Sequence, residues 1–268
     1  VADDSEATKQ ILEKLQKKFP AAQVIKDDHF IYAKKQNPIY IAVGPAALRS
    51  LLAKTEDSPI LSLFTSSQVY KTVLEKVSKH RRNTVTAVFA EPSPSDQLQL
   101  ISLLYKRHAN TAVLISEKNA YLLPLIKTSA AQLKIDLSIE QVSSEIDINP
   151  ALNRISNASV ILAIPDNTIY NSGNIRNILM TTYRHNQAVI GFSSALVKAG
   201  ALASTYSDIE EIIEQANDML NAIAVDIHIP QPQFPKYFSV VINDNVARSL
   251  NLVIDDNVRA FKRKPETR

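Results

Sequence analysis

The 268-residue chain contains no cysteine. Disulfides, thiolate-ligated metals and thiol catalysis are therefore excluded together. It has only 4 glycines, and neither GxGxxG nor GxxxxGK[ST] occurs, so there is no Gly-rich loop to wrap a nucleotide phosphate. Its five histidines, His29, His80, His108, His185 and His228, show none of the HxH, HxxxH or HExxH spacings of a metal site. GxSxG and SxxK are missing too, and nothing in the pattern positions a Ser-His-Asp triad. No run approaches the roughly 18 apolar residues of a membrane helix. Charge is balanced at +3, which gives no electrostatic reason to expect nucleic acid or a membrane surface. The densest basic runs, Lys79 to Arg82 and Phe261 to Lys264, lack aromatic interleaving and are expected as solvated surface and tail. The reading is a non-enzyme with no catalytic residue, no metal and no cofactor.

What the chain does contain is organised around residues 158–204. Three short apolar runs, Val160 to Ile164, Ala188 to Phe192 and Gly200 to Ser204, read as buried parallel strands. Between the first two, Ile175, Ile178, Leu179 and Thr182 recur at helical spacing after Ser172, a good N-cap residue. His185 suits the C-terminal end of that helix. Such β-α-β units bind ligands beyond the carboxyl ends of their strands, which brings Asp166, Asn167, Thr168, Ser193 and Ser194 to one mouth.

Elsewhere the same alternation continues. A first helix capped by Asp4 or Ser5 carries Ile11, Leu12, Leu15 and Phe19 and ends before Pro20. Ala22 to Ile25, Phe30 to Ala33, Ile39 to Val43, Ile60 to Phe64, Thr84 to Ala90, Thr111 to Ile115, Ile135 to Val142 and Tyr237 to Ile242 read as strands. The intervening helices start at Gly44-Pro45, after Thr65-Ser66-Ser67, at Ser95, through Leu122 to Leu133, near Pro150 to Ile155, and at a capping box over Ser207 to Glu210. Proline-rich connectors near residues 92 and 230 suggest crossings between lobes. Length allows two α/β lobes: 1–91 with 206–230, and 92–205 with 231–268.

Several segments, in this order, resemble the ABC-transporter substrate-binding family that includes tryptophan- and tyrosine-type binding proteins. They are Ala42-Val43-Gly44-Pro45-Ala46-Ala47, Asn83 to Val88, Ile164-Pro165-Asp166-Asn167-Thr168, Ala188 to Ser193, Gly200 to Tyr206, and the ending Val241-Ile242-Asn243 with Ala247 through Leu252. The resemblance implies a type I periplasmic-binding-protein fold, two Rossmann-like lobes with parallel sheets flanked by helices, and an exported, periplasmic location. It also implies a small-molecule ligand, polar or aromatic and including amino acids, and an ABC permease partner. Relative to the family the first strand and one helix are missing. Ala22 to Ile25 is expected to take the vacant sheet position, with Phe30 to Ala33 at an edge and the N-terminal lobe reduced. A degenerate module contacting another envelope protein is the alternative reading.

Carried over residue by residue, the ligand site is Gly44, Pro45, Thr65, Ser66, Ser116, Glu117, Asp166, Asn167, Thr168 and Ser193. Hydroxyls and helix N-terminal amides suit a carboxylate, and Asp166 an ammonium. Each has a structural alternative: Asp166 an Asx-type turn, and Thr65, Ser66, Ser67, Ser116 and Ser193-Ser194 helix caps. Because asparagine also makes Asx-turns, Asp166→Asn is expected to leave the empty protein's stability nearly unchanged.

Overall fold

The computed structural model describes residues 5–25, 38–106, 109–226 and 229–266. The elements are α1 (Glu6–Lys18), β1 (Tyr40–Val43), α2 (Gly44–Lys54), β2 (Ile60–Thr65), α3 (Ser67–Leu74), α4 (Lys79–Arg82), β3 (Val85–Phe89), α5 (Pro94–Leu104), β4 (Asn110–Ile115), α6 (Leu123–Gln132) and β5 (Asp136–Gln141). There follow α7 (Ile148–Arg154), β6 (Val160–Leu162), α8 (Ile175–Arg184), β7 (Ala188–Ile190), α9 (Ser194–Ala199), β8 (Ala203–Tyr206), α10 (Ile209–Asp226), β9 (Ser239–Ile242), α11 (Asp244–Ser249) and α12 (Asp256–Arg259). The chain divides into two compact units, 1–90 with 207–237 and 264–268, and 91–206 with 238–263. Residues 231–237 cluster with the first unit, not the second as expected, because they run beside β3. Phe89 N–H donates to the Gln233 carbonyl at 2.9 Å, and Gln233 N–H to that of Ala87 at 2.9 Å.

In the first unit, β1, β2 and β3 form a parallel sheet in that order. Alternation along the strands sends side chains to opposite faces. Tyr40, Ala42, Ile60, Val85, Ala87 and Phe89 pack with α2 and α3, while Val43, Leu61, Leu63 and Val88 pack with α1 and α10. Both faces are covered, as a parallel sheet requires. Ser5 caps α1 by accepting from Thr8 N–H, and α1 ends before Pro20. Among the described strands none involves Ala22 to Ile25, so that segment does not fill a sheet position. Residues 21–24 are exposed, and a run with one apolar side chain turned inward, Ile25 against the first-unit core, lacks the two-sided burial that holds a parallel strand. The strand expected at Phe30 to Ala33 lies outside the described residues.

The second unit is a six-stranded sheet in the order β5-β4-β6-β7-β8-β9. Every pair is parallel except β8 with β9. Ala112, Leu114, Ile161, Ala163 and Val189 form one core with residues of α7, α8 and α9. The order reverses at β4: the chain moves from β4 out to β5, then returns to place β6 on the other side. The carboxyl ends of β4 and β6 thus flank a topological switch point, the crevice where open α/β sheets bind ligands.

Several caps fall one or two residues from where the pattern predicts. Ser93, not Ser95, caps α5, accepting from Ser95 N–H, since Pro94 is pre-organised for the first helical position. The box before α10 pairs Asp208 with Glu211: Asp208 N–H donates to Glu211 Oε2 at 2.9 Å and Glu211 N–H to Asp208 Oδ1 at 2.8 Å. Ser172 does not cap α8. Asn171 Oδ1 accepts from Gly173 and Asn174 N–H instead. The basic runs are mostly exposed, as expected, but Arg81 is buried and Phe261 half-buried. Arg81 donates to the Ser58 carbonyl at 2.9 Å and Thr84 Oγ1 at 2.6 Å. Phe261 stacks edge-on to Phe238 with centroids 5.1 Å apart, and Arg263 pairs with Asp96 at 3.2 Å.

Candidate functional site

The expected site residues fall into one group in each unit, at carboxyl strand ends. In the first unit Gly44 opens α2 with φ of 80°, a left-handed conformation that favours glycine, and Pro45 occupies the first turn. Thr65 ends β2, buried, with Oγ1 accepting from Ser62 Oγ at 3.1 Å. A bulge and a left-handed Phe64, φ 58°, precede it. Ser66 caps α3, accepting from Val69 N–H at 3.3 Å. Capping is therefore an observed role of Ser66, and Thr65 bonds within its own strand.

In the second unit the geometry converges at the switch point. Asp166, four residues past β6, is 2 % exposed. Its Oδ2 accepts from Ser116 N–H at 3.1 Å and from Asn119 Nδ2 at 2.9 Å. Its Oδ1 accepts from Thr168 N–H at 3.0 Å, the Asx-type turn. Tyr170 N–H donates to the Asp166 carbonyl at 2.7 Å. This carboxylate ties the loop after β4 to the loop after β6. All three donors, two backbone amides and the Asn119 side chain, are neutral, so none of them is an ion-pair partner for the carboxylate. Burial, with the Asp166 charge adding to it, pushes the Tyr170 hydroxyl far above the ordinary tyrosine value. Its ring meets Phe192 edge-on at 5.8 Å.

The remaining residues are less committed. Ser116 is buried, its Oγ among the atoms with no hydrogen-bond partner. Glu117 and Asn167 are exposed and Thr168 half-buried. Ser193 caps α9, accepting from Leu196 N–H at 3.2 Å. Asn119, fully buried, was not singled out by sequence. It donates to the Pro165 carbonyl at 2.8 Å as well as to Asp166, and its Oδ1 has no partner. The one signal for it is position, three residues past Ser116 in the loop leaving a central strand.

This network corrects the expected neutrality of Asp166→Asn. An asparagine offers one acceptor oxygen and one NH2 group, so it can serve Thr168 or the Ser116 and Asn119 donors, but not both sides. At least one buried N–H then faces another donor, at a cost of about 1–3 kcal/mol.

Among the described residues no group of three or more His, Cys, Asp or Glu could hold a metal ion. No helix among them is long and apolar enough to cross a membrane.

Two α/β units with mainly parallel sheets, one with a buried polar cluster at its switch point, make up a type I periplasmic-binding-protein-like fold. The sequence profile of the ABC transporter substrate binding protein family matches residues 5–264, and the chain belongs to that family. No curated protein sequence matches it. Solved structures share the fold. A conserved domain protein from Vibrio cholerae is 22 % identical, with TM-score 0.59, over 94 % of this chain and 83 % of that one. An ABC domain from Streptococcus pneumonia in complex with L-Trp is 16 % identical, with TM-score 0.63, over 93 % and 90 %. A ligand-free, open substrate binding protein with adhesive properties from Clostridium difficile is 17 % identical, with TM-score 0.61, over 82 % and 76 %.

Proposed function

We propose that this chain is the exported solute-binding component of an ABC transporter, that it takes up an amino acid, and that it delivers it to a membrane permease. The observation that carries the reading is the convergence of Ser116, Asn119, Asp166 and Thr168 at the β4–β6 switch point. A buried polar group is ordinarily hydrogen-bonded, and Ser116 Oγ and Asn119 Oδ1 have no partner among the described residues. A small polar molecule in the crevice supplies one. Ser193, at the carboxyl end of β7 in the same unit, belongs to the proposed site as a secondary contact. An amino acid is favoured over a sugar or nucleoside because an acidic residue without an ion-pair partner among the described residues, Asp166, stands beside neutral hydrogen-bonding groups. The L-Trp complex of the streptococcal relative agrees with that class.

Thermal unfolding in the presence of the protein amino acids, common nucleosides and monosaccharides tests this. Binding to the native state alone stabilises by about 2.7 kcal/mol at a hundredfold excess over Kd, or about 5–11 °C in a domain of 150–250 residues. At least one amino acid should produce a shift of that order. A flat response across all three classes contradicts the reading.

A further inference from the structure

We infer that Asn119 Oδ1, together with Ser116 Oγ, is the acceptor for the ligand's ammonium group, and that Asp166 is a positioning residue that does not touch the ligand. The inference rests on the solute-binding reading and specifies which atoms carry it.

All of the hydrogen-bonding hands of Asp166 that the loops reach are occupied. Oδ2 is shared by the Ser116 amide and the Asn119 side chain, and Oδ1 is taken by the Thr168 amide. An ammonium entering this carboxylate would have to displace one of those bonds. Asn119 is different. Both hydrogens of its NH2 group are used, one on the Pro165 carbonyl at 2.8 Å and one on Asp166 Oδ2 at 2.9 Å. Neither partner can donate, so the amide has only one orientation that makes both bonds. Its Oδ1 is therefore fixed on the far side of the amide from those two partners. That oxygen, in a residue 0 % exposed, has no donor.

Ser116 divides its polar atoms the same way. Its N–H goes to Asp166 at 3.1 Å, while its Oγ, in a residue 4 % exposed, has no partner. The two unpartnered oxygens thus belong to residues locked to a single carboxylate oxygen, at the carboxyl end of β4.

The chemistry of this pair selects a donor. Asn119 Oδ1 can only accept. The N–H that Asn119 gives to a carboxylate polarises its amide and makes the oxygen a stronger acceptor, as chained hydrogen bonds do. Both residues donate to the acidic Asp166, which makes no ion pair among the described residues, and such a neighbour favours a cationic donor over an anion. A primary ammonium has three N–H groups to offer such acceptors.

The test uses L-tryptophan, L-tyrosine and L-leucine, each paired with the acid that lacks its amino group: indole-3-propionic, 3-(4-hydroxyphenyl)propionic and 4-methylpentanoic acid. Affinities are measured by titration calorimetry for the wild type, Asn119→Ala and Ser116→Ala. The wild type should prefer at least one amino acid over its partner acid, and Asn119→Ala should shrink that preference about tenfold or more, the scale of a hydrogen bond to a charged group. A purely structural role would lower both affinities together and leave their ratio unchanged. If Asn119→Ala does not fold, Ser116→Ala decides. It keeps the backbone N–H to Asp166, should leave the empty protein's unfolding unchanged, and should shrink the ratio as well. An unchanged ratio in the folded variants overturns the assignment. So does a wild type that binds none of the three amino acids but binds another compound of the thermal panel, with solute binding left standing. A wild type that binds nothing in that panel overturns both.

Discussion

At the scale of single residues, what decides a side chain's role is the set of partners that meet it, and Asp166 is the clearest case. Three N–H groups from two loops converge on its carboxylate. Asp166→Asn should accordingly lower the unfolding free energy of the ligand-free protein by about 1–3 kcal/mol, read as a lower urea midpoint at unchanged slope. An unchanged midpoint would mean that these bonds contribute nothing. From sequence alone, the Asx-turn to Thr168 was legible because it is local. The bonds from Ser116 and Asn119 were not, because they span 50 and 47 residues. The basic runs carry the same lesson. Nothing in KHRR says that Arg81 alone turns inward, since two of its acceptors, the Ser58 carbonyl and the Thr55 hydroxyl, lie 23 and 26 residues away. Asp96 adds a pH dependence. Burial raises its pKa more than Arg263 lowers it, so the folded value lies above the ordinary 3.8. A carboxyl with a raised folded pKa contributes stability below the unfolded value and loses it as pH rises through the folded one. The wild type should therefore lose stability relative to Asp96→Asn as pH climbs from below 3.8 through that raised value. Urea unfolding of both proteins across the window checks this, and parallel pH curves would contradict it.

At the scale of elements, most strands and helices were legible because each follows a strong local rule. β4, β6 and β7 are short continuous apolar runs, and α1 and α10 carry apolar stripes behind good caps. Ala22 to Ile25 misled because a few apolar residues between polar ones satisfy the same local rule without a sheet to join. α12 escaped notice because its four residues bury one side chain, Val258, too little for a period. The join between β7 and β8 was also hidden. Their register is given by a single pair, Ile190 with Ala203, and a buried glutamine from α5 reinforces it. Gln97 Nε2 donates to the Gly191 carbonyl at 2.8 Å and to Ser204 Oγ at 3.1 Å, while its Oε1 accepts from Thr205 N–H at 3.1 Å. Gln97→Ala leaves the Thr205 amide without that acceptor inside the sheet. The unfolding free energy should fall by about 1–3 kcal/mol for the orphaned amide alone, with faster hydrogen exchange at Thr205 than at Ile161. Unchanged exchange at Thr205 would show that the clamp is redundant.

At the scale of the whole molecule, the chain changes unit after Ala90, Tyr206, Tyr237 and Arg263. Proline-rich connectors point to crossings near residues 92 and 230, but the return after Arg263 goes with a long-range pairing, Phe238 with Arg263, which composition does not mark. The family and its fold were legible because ordered short motifs survive over most of the chain. The switch point was not, since it depends on which side of β4 the next strand joins. The account's central claim, that this protein binds a small solute, is tested most directly by titration calorimetry of the purified chain against the amino acid giving the largest thermal shift. The account predicts saturable heat with one ligand per chain and an affinity that weakens when Asn119 is replaced by alanine. The absence of saturable heat with any amino acid, nucleoside or monosaccharide would contradict it.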